Sequence, residues 1–423
     1  MQDVFIAAGV RTPFARIDGA LAAYDAIELS VPVAQAMSAR LPPGLLPDFV
    51  VWGSVVPNFG WSNIAREVWL DAELDPRVPA YSVVLACASS VVAAIAAGGM
   101  LREGVRDLAL VGGAESLSRV QIGFEQKFSD WLRNFIQARS LGAKLETFSE
   151  LRWKDVRIHI PAVVNRTTGK SMGEHTEVTA KGWCISRIAQ DEWALKGHQR
   201  VIAARKQGFF DDLIVSIGDV DRDTIPRADT SMKKLARLPP AFDKMSGQGT
   251  LTAGNSSPLT DGAASVWVAT PSGLRKLADG TPYARLVDFE IASVDLAEEG
   301  LLMAPSYAIP RLFERHKLRY GDVDLWEIHE AFAAQVLANV AALEDAAWIK
   351  RRTGIEQDLG PFPWERVNPN GSSIAIGHPF AATGARDLSQ CVKELCFMPR
   401  GSRAVVSVCA DGGQGVVALL ERP

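Results

Sequence analysis

Short apolar runs that end in glycine or serine recur in the first part of the chain and predict buried strands. They occupy residues 2–9, residues 47–56 (PDFVVWGSVV) and residues 105–116 (VRDLALVGGAES). Apolar runs of this length, bounded by turn residues, are typical of strands inside an α/β fold. The chain therefore begins with strand patterns separated by segments long enough to hold helices.

A single thiol lies within the small and apolar segment 82–99. The run YSVVLA at 81–86 predicts a buried strand, and SSVVAAIAAGGMLREG at 89–104 predicts an Ala-rich helix. Cys87 lies between them, so we expect it at or near a helix N-terminus, where the serines suit an N-cap. Taken alone, a free cysteine is more often a small buried hydrophobe, so core packing is the alternative.

The C-terminal part of the chain repeats this scheme. Residues 321–343 predict a strand, a polar turn and a helix, and residues 371–395 predict the same order. Residues 402–422 predict two strands around a glycine turn. His378 stands in the turn of its segment as Cys87 stands in its own, so we interpret the chain as two related α/β halves.

The segment between these halves has a different composition. It is richer in charge, Trp and His and holds few strand patterns, which predicts an inserted, mostly helical region. We therefore predict an N-terminal half at 1–118 plus 251–272, an inserted loop domain at 119–250, and a C-terminal half at 273–423.

One stretch of this inserted region has a helical apolar stripe, formed by Phe128, Trp131, Leu132 and Phe135. Such a stripe usually packs on the protein's own core, and this is the interpretation we favour. Residues 127–157 carry seven Lys/Arg and four Asp/Glu, a net charge of +3. A basic amphipathic segment that instead meets a partner or a membrane surface is the alternative.

Composition narrows the class of protein. The chain has 423 residues, 48% hydrophobic and 22% charged, with a formal net charge of −4. This balance argues against a nucleic-acid partner. Five scattered cysteines make no disulfide framework, so we expect a reducing, cytoplasmic location. The N-terminus resembles a first strand rather than a signal peptide, and no run of 18 apolar residues predicts a membrane span.

Four polar turns place a reactive side chain among small residues at a predicted strand end. They hold Cys87, His329, His378 and Cys409. In α/β sheets, strand ends and helix starts gather at one rim, where ligands bind. The spacings contain no CxxC or HxxxH pair, which disfavours zinc. The sequence therefore favours nucleophilic catalysis by an activated thiolate, with no metal.

These turns belong to a longer series of motifs along which the chain resembles the thiolase family, the acyl-CoA acetyltransferases. Each motif is weak alone, but together and in this order they are specific. Besides the turn of Cys87 they are RTPF at 11–14, GGAESLS at 112–118, SMGEHTE at 171–177, ISRIAQDEWALKGHQR at 185–200, GTLTAGNSSPLTDGAA at 249–264, EIHEAF at 327–332, NPNGSSIAIGHPFAATGAR at 368–386 and VCADGGQG at 408–415.

The resemblance implies a thiolase-like, five-layered αβαβα fold and an acyltransferase that needs no permanently bound cofactor, with coenzyme A as co-substrate. Simple thiolases usually have Asn in place of His329 and Gly in place of Ser90 and Pro258. The chain is instead most similar to the thiolase subunit of the fatty-acid β-oxidation trifunctional complex, which implies a degradative 3-ketoacyl-CoA thiolase. A biosynthetic acetoacetyl-CoA thiolase is the alternative within the family.

The resemblance also implies the role of each reactive residue. Cys87 is the nucleophile that carries the acyl thioester, and His378 is its base and an oxyanion donor. His329 is a second oxyanion donor, and Cys409 is the acid and base for the acetyl-CoA carbanion. A helix N-terminus and a neighbouring imidazole both favour the thiolate of Cys87.

For coenzyme A, the resemblance places Ser257 beside the pantetheine arm, and it makes Met172 and Phe332 candidates for the acyl and pantetheine walls. Core packing is the alternative for Met172 and Phe332. Two residues depart from the family pattern. Asp411 stands where Gly or Ala is usual, and its carboxylate would oppose negative charge beside an oxyanion. Ser372 replaces a glycine, and the sequence suggests no role for it.

Two other classes of protein compete with a thiolase. A decarboxylating ketoacyl synthase also uses one Cys and two His, but it has no counterpart of Cys409. A silent, thiolase-like acyl-CoA-binding protein would be expected to have lost a reactive residue, and none is lost here. The resemblance implies acyl-CoA and CoA as ligands, a homodimer or larger homo-oligomer, and an enoyl-CoA hydratase/3-hydroxyacyl-CoA dehydrogenase subunit as a possible partner.

Overall fold

The computed structural model describes residues 2–161 and 163–423. The strands among these residues are β1 Phe5–Ala7, β2 Ala15–Arg16, β3 Phe49–Gly53, β4 Ala80–Ser82, β5 Leu108–Glu115, β6 Gly123–Phe124, β7 Ile158–His159, β8 Thr260–Ala269, β9 Tyr283–Ser293, β10 Leu325–Ile328, β11 Arg403–Ala410 and β12 Gln414–Glu421.

The helices in the same part of the chain alternate with these strands. They are α1 Ala26–Ala39, α2 Ile64–Asp71, α3 Ser89–Arg102, α4 Gln126–Gln137, α5 Leu141–Ser149, α6 Met172–Gly182, α7 Arg187–Lys206, α8 Met232–Leu235, α9 Pro271–Leu274, α10 Pro305–His316, α11 Ala333–Glu344, α12 Ala346–Thr353, α13 Ser373–Ile376 and α14 Thr383–Leu395. Short 3-10 turns occupy Trp153–Asp155, Tyr320–Asp322, Trp364–Arg366 and Phe380–Ala382.

The sheet shows the same strand order twice. In the first half, β4, β3 and β5 are parallel neighbours, followed by antiparallel β8 and β1. In the second half, Val367 bridges in parallel to β10, β10 is parallel to β11, and antiparallel β12 and β9 follow. Antiparallel pairing of β1 with β9 joins the halves. The expectation of two related α/β halves is confirmed.

Three apolar cores hold the layers of helices against the two half-sheets. Helices α1 and α2 cover the outer face of the first half-sheet, and α10, α11 and α12 cover the outer face of the second. Helices α3 and α14 pack between the half-sheets, in a core to which both contribute. Because these two helices follow the turns of Cys87 and His378, the middle layer brings both turns to one place.

Two local expectations were wrong. The apolar run 81–86 forms strand only through Ser82, because β4 is a half-buried edge strand. Residues Ser373–Ile376 form the short helix α13 rather than a strand. The backbone N–H of Ile374 donates to the buried carboxylate of Glu330 at 3.3 Å, so this tertiary contact satisfies a donor at the start of the helix.

The inserted region holds helices α4 to α8, and its predicted boundaries at 119 and 250 stay a prediction. The favoured interpretation of its apolar stripe was wrong, because α4 has no buried residue. Its Phe128, Trp131 and Phe135 stack on one another, and the Trp131 indole donates to the carbonyl of Thr147 in α5 at 2.8 Å. No helix in the described ranges has the length and apolar character needed to cross a bilayer.

Candidate active site

The turn before α3 presents Cys87 at the start of the helix, as expected. Ala86 has a φ of +43°, a left-handed conformation that is strained for a residue with a Cβ. The serine N-cap that we expected is absent here, since Ala88 occupies the cap position. Ser89 instead closes the turn: its hydroxyl accepts from Leu85 N–H at 2.8 Å and donates to the Ala86 carbonyl at 2.7 Å.

His378 reaches Cys87 from the second half of the chain. Its Nε2 lies 3.1 Å from Cys87 Sγ, and its Nδ1 lies 2.6 Å from the Thr383 hydroxyl. The preceding Gly377 has a φ of +118°, and a Cβ there would lie 2.9 Å from a side-chain carbon of Thr260. Glycine is therefore required at this position, where the chain turns close to β8 to aim the imidazole at the thiol.

His329 lies beside this pair, directly after β10. Its ring is completely buried, and its centroid is 4.2 Å from that of His378. Cys87 Sγ and one nitrogen of each imidazole lie within 4.8 Å of one another. The sequence spacing disfavoured zinc, yet the fold brings together three side chains of a kind that can hold a metal ion. The same three groups suit attack by a thiol with two imidazoles beside it.

Cys409 lies on β11, and its side chain is buried. Cys87 is close enough to raise the pKa of Cys409 further, beyond the larger effect of burial. Met172 and Phe332 belong to the same apolar cluster as Cys409. Ser257 lies along the chain segment that holds Phe332, because its N–H donates to the Ala331 carbonyl at 2.9 Å. The fold thus groups all three candidate CoA or acyl contacts around the site.

Burial favours the neutral forms of both Cys87 and His378. The residue Cys87 as a whole is partly exposed, but the atoms packed around its thiol remove most of the water from it. This burial raises the pKa of Cys87 to about 12, and the carboxylates of Asp411 and Glu115 also raise the pKa. The backbone N–H groups of Asp411 and Cys87 act in the opposite direction. Burial, with a contribution from Arg386, lowers the pKa of His378 to about 3. Desolvation therefore outweighs the helix N-terminus and the imidazole, which we expected to favour the thiolate.

The carboxylate of Asp411 is held by donors of its own. Asn165 Nδ2 donates to Asp411 Oδ1 at 2.9 Å, and the Gly412 N–H donates to the same oxygen at 2.6 Å. The backbone N–H of Asp411 meanwhile lowers the pKa of Cys87, whereas its carboxylate raises this pKa. The two groups of Asp411 therefore act on the thiol in opposite directions.

Sequence reasoning missed the polar residues that support the site. Ser373 contacts His329, Thr383 contacts His378, and Asn165 contacts Asp411. Ser372, for which the sequence suggested no role, accepts from Arg386 and donates to the Ile328 carbonyl at 3.0 Å. Asn165 lies 246 residues from its partner, so no local pattern could have pointed to it.

Comparisons with known proteins agree with this geometry. The family model "Thiolase, N-terminal domain" matches residues 4–272, and "Thiolase, C-terminal domain" matches residues 280–422. A 3-ketoacyl-CoA thiolase of Erwinia tasmaniensis is 38% identical, over 99% of this chain and 97% of that protein. A 3-ketoacyl-CoA thiolase of Vibrio cholerae is 36% identical over the same shares.

Solved structures show the same likeness. An acetyl-CoA acetyltransferase of Bacillus anthracis superposes with a TM-score of 0.81 at 30% identity, covering 100% of this chain and 99% of that one. A thiolase of Ascaris suum in complex with coenzyme A superposes with a TM-score of 0.79 at 25% identity, covering 100% of both chains. The expected five-layered thiolase fold is confirmed, and the chain belongs to the thiolase family.

Proposed function

We propose that the protein is a 3-ketoacyl-CoA thiolase, which cleaves 3-ketoacyl-CoA with CoA into acetyl-CoA and a shortened acyl-CoA in fatty-acid β-oxidation. The observation that carries this proposal is the 3.1 Å contact between Cys87 Sγ and His378 Nε2, with His329 and Cys409 beside it. Relatives named 3-ketoacyl-CoA thiolase align with nearly the whole chain, which supports the substrate class.

The first half-reaction begins with the thiol. As Cys87 Sγ attacks the β-keto carbon, its proton passes to His378 Nε2, and the keto oxygen becomes an alkoxide. The alkoxide accepts hydrogen bonds from His329 and from protonated His378, which act as oxyanion donors. Collapse of the alkoxide breaks the bond between the α and β carbons. The acyl group remains on Cys87 as a thioester, and the enolate of acetyl-CoA takes a proton from Cys409.

The second half-reaction transfers the acyl group to a new CoA. The Cys409 thiolate removes the proton from the CoA thiol, which attacks the thioester carbonyl. Cys87 leaves and regains its proton from His378, so both cysteines return to their starting states. The backbone N–H groups of Cys87 and Asp411 lower the pKa of this thiol, and in the proposal they donate to the thioester oxygen. A covalent intermediate between two substrates predicts ping-pong kinetics.

Ser257, Met172 and Phe332 serve in this proposal as contacts for the pantetheine arm and the acyl chain. The position of Ser257 against Ala331 supports this, because the EIHEAF segment leads directly from His329 to Phe332. Met172 is half-buried and Phe332 is 8% exposed, and both pack in the apolar cluster that contains Cys409.

CoA-dependent cleavage of 3-ketoacyl-CoAs by the purified chain tests the proposal. We expect acetyl-CoA and an acyl-CoA two carbons shorter, with acyl label on Cys87 when CoA is withheld. Cys87→Ser should abolish both the label and the turnover while the protein stays folded. Label on another residue in Cys87→Ser, or product that depends on malonyl-CoA, would contradict the proposal.

We propose further that the chain works as a homodimer or larger homo-oligomer. Strand β4 ends the sheet with an open edge, and neighbouring Val84 is 60% exposed, which suits pairing with a second copy.

The inserted region exposes many large apolar side chains between Ile122 and Val164. A patch of this kind suits a further subunit, such as an enoyl-CoA hydratase/3-hydroxyacyl-CoA dehydrogenase. The free state of all five cysteines supports a cytoplasmic location.

A further inference from the structure

His329 has one satisfied nitrogen and one free nitrogen. Its Nδ1 lies 2.7 Å from the hydroxyl of Ser373. Its Nε2 is buried and has no hydrogen-bond partner within residues 2–161 and 163–423. Because Nδ1 is occupied, Nε2 is the nitrogen left to meet a reacting oxygen. It can donate a hydrogen bond there only if it carries the proton.

The direction of the Ser373 hydrogen bond follows from its other partner. Arg386 Nη2 lies 2.9 Å from Ser373 Oγ, and a guanidinium can only donate. The hydroxyl oxygen could accept a second time, from His329 Nδ1, but its own proton would then have no acceptor, because His329 Nδ1 is the only possible acceptor bonded to Ser373 Oγ in residues 2–161 and 163–423. We therefore infer that the hydroxyl of Ser373 donates to His329 Nδ1. A nitrogen that accepts this proton carries none of its own, so the proton of the neutral imidazole stands on Nε2.

Arg386 contacts both serines through Nη2. It is almost fully buried, lies 3.2 Å from the Ser372 hydroxyl and pairs with Asp387 at 2.6 Å. Burial, together with repulsion from His378 and Arg386, holds the pKa of His329 well below its usual range. The doubly protonated imidazolium is thereby disfavoured, and the choice lies between the two neutral tautomers.

We propose that Ser373, oriented by Arg386, is a positioning residue that fixes His329 as the tautomer with its proton on Nε2. The inference deepens the proposed thiolase mechanism and rests on it, because an oxyanion donor needs this N–H. It also assigns opposite tautomers to the two histidines. His378 must accept from Cys87 through Nε2, so its Nδ1 carries the proton and donates to Thr383 at 2.6 Å.

The test compares Ser373→Ala with the matched control Ser372→Ala, which also loses a contact to Arg386 but touches no imidazole. ¹⁵N spectra of histidine-labelled protein report the tautomer directly, and with six histidines His329 can be assigned from the spectrum of His329→Asn. We expect Nε2–H in the unaltered chain and in Ser372→Ala. In Ser373→Ala we expect a mixed or reversed tautomer of His329.

We expect kcat to fall when His329 loses the tautomer with its proton on Nε2. Removing an oxyanion donor altogether costs about 10²–10³ in kcat. Ser373→Ala keeps the imidazole, so we expect a smaller loss of about tenfold in kcat with little change in KM. In the His329→Asn background, Ser373→Ala should add no loss. Ser373→Cys keeps a weak hydrogen-bond donor, so its kcat should lie between those of Ser373→Ala and the unaltered chain. This variant replaces Ser373→Ala in the test if Ser373→Ala does not fold.

Two results would overturn the inference: His329 keeping Nε2–H in Ser373→Ala, or an equal loss of kcat in Ser372→Ala. Failure of the proposed function is a different result. The unaltered chain would then show no thiolysis, while the ¹⁵N spectra would still show whether Ser373 sets the tautomer.

Discussion

Asp411→Asn should make Cys87 a faster nucleophile. The carboxylate of Asp411 raises the pKa of Cys87, second only to burial, while the backbone N–H of the same residue lowers it. An asparagine at 411 keeps that N–H. Its side-chain oxygen can still accept from Asn165 and Gly412, as the carboxylate does. The substitution therefore removes one negative charge and leaves the hydrogen bonds in place.

The size of the effect follows from the charge removed. A charge within about 4–6 Å shifts a pKa by about 1–3 units, and we expect the lower end because the Asp411 side chain is half-exposed. Far below the pKa, a drop of about one unit gives about tenfold more thiolate. Intrinsic nucleophilicity falls with pKa, with a Brønsted coefficient near 0.5, which leaves a net gain of about threefold.

Alkylation by iodoacetamide between about pH 6 and pH 9 measures this gain, with the Cys87 peptide quantified by mass spectrometry so that other thiols do not contribute. The control is Asp229→Asn, which removes a carboxylate that pairs with Lys234 on the surface. An unchanged or slower alkylation of Cys87 in Asp411→Asn, or an equal gain in Asp229→Asn, would refute the electrostatic argument.

Three further outcomes test the proposed roles. Cys409→Ala should still accept an acyl group on Cys87 but should slow α-proton exchange of acetyl-CoA by at least about 10²-fold; unchanged exchange, followed by NMR, removes Cys409 from the mechanism. His329→Ala should lose about 10²–10³ in kcat, and His329→Asn should recover part of it; full turnover in His329→Ala would make His329 structural. Sedimentation of the purified chain at micromolar concentration should show a dimer or larger species rather than a monomer.

Apolar patterns predicted the strands and helices that build the core, but they could not decide short segments. The run SIAI at 373–376 is four apolar or small residues, a length at which strand and helix look alike. In the structure the start of this helix meets Glu330, a residue 44 positions away whose carboxylate accepts from the Ile374 N–H. A tertiary contact of this kind cannot be predicted from the pattern of apolar residues in the segment itself.

The stripe on α4 shows a second limit. Helical spacing of Phe128, Trp131 and Phe135 indicates that one face is covered, but it does not indicate what covers that face. In the structure α5 contacts this face through the hydrogen bond between Trp131 and Thr147, no residue of α4 is buried, and other apolar side chains, such as Leu141 at 82% exposed, lie at the surface. The choice between core packing and an external surface depends on where the pair sits relative to the sheet.

The positions of the candidate reactive groups were largely predictable, because His329 and Cys409 lie at the ends of β10 and β11, which converge at one rim in this fold, and Cys87 lies in the turn before α3. His378 follows the short helix α13 rather than the strand that we predicted. The electrostatics of these groups were not predictable, since desolvation depends on the complete packing around Cys87 and His378. The supporting hydroxyls of Ser373 and Thr383 were not predicted from the sequence for another reason. Serine and threonine have many ordinary roles in turns and helix starts, so only the contacts in the folded chain separate a supporting hydroxyl from a structural one.

Burial raises the pKa of Cys87 to about 12 and lowers the pKa of His378 to about 3, so transfer of the thiol proton to the imidazole is unfavourable before the substrate reacts. Once Cys87 Sγ has bonded to the β-keto carbon, the negative charge lies on the alkoxide oxygen, and in the proposed mechanism protonated His378 and neutral His329 donate hydrogen bonds to it. The formation of the alkoxide therefore depends on donors that are in place before the attack. His329 is one of these two side-chain donors only when Nε2 carries the proton, so the hydroxyl of Ser373, through the tautomer, bears directly on the rate of the first half-reaction.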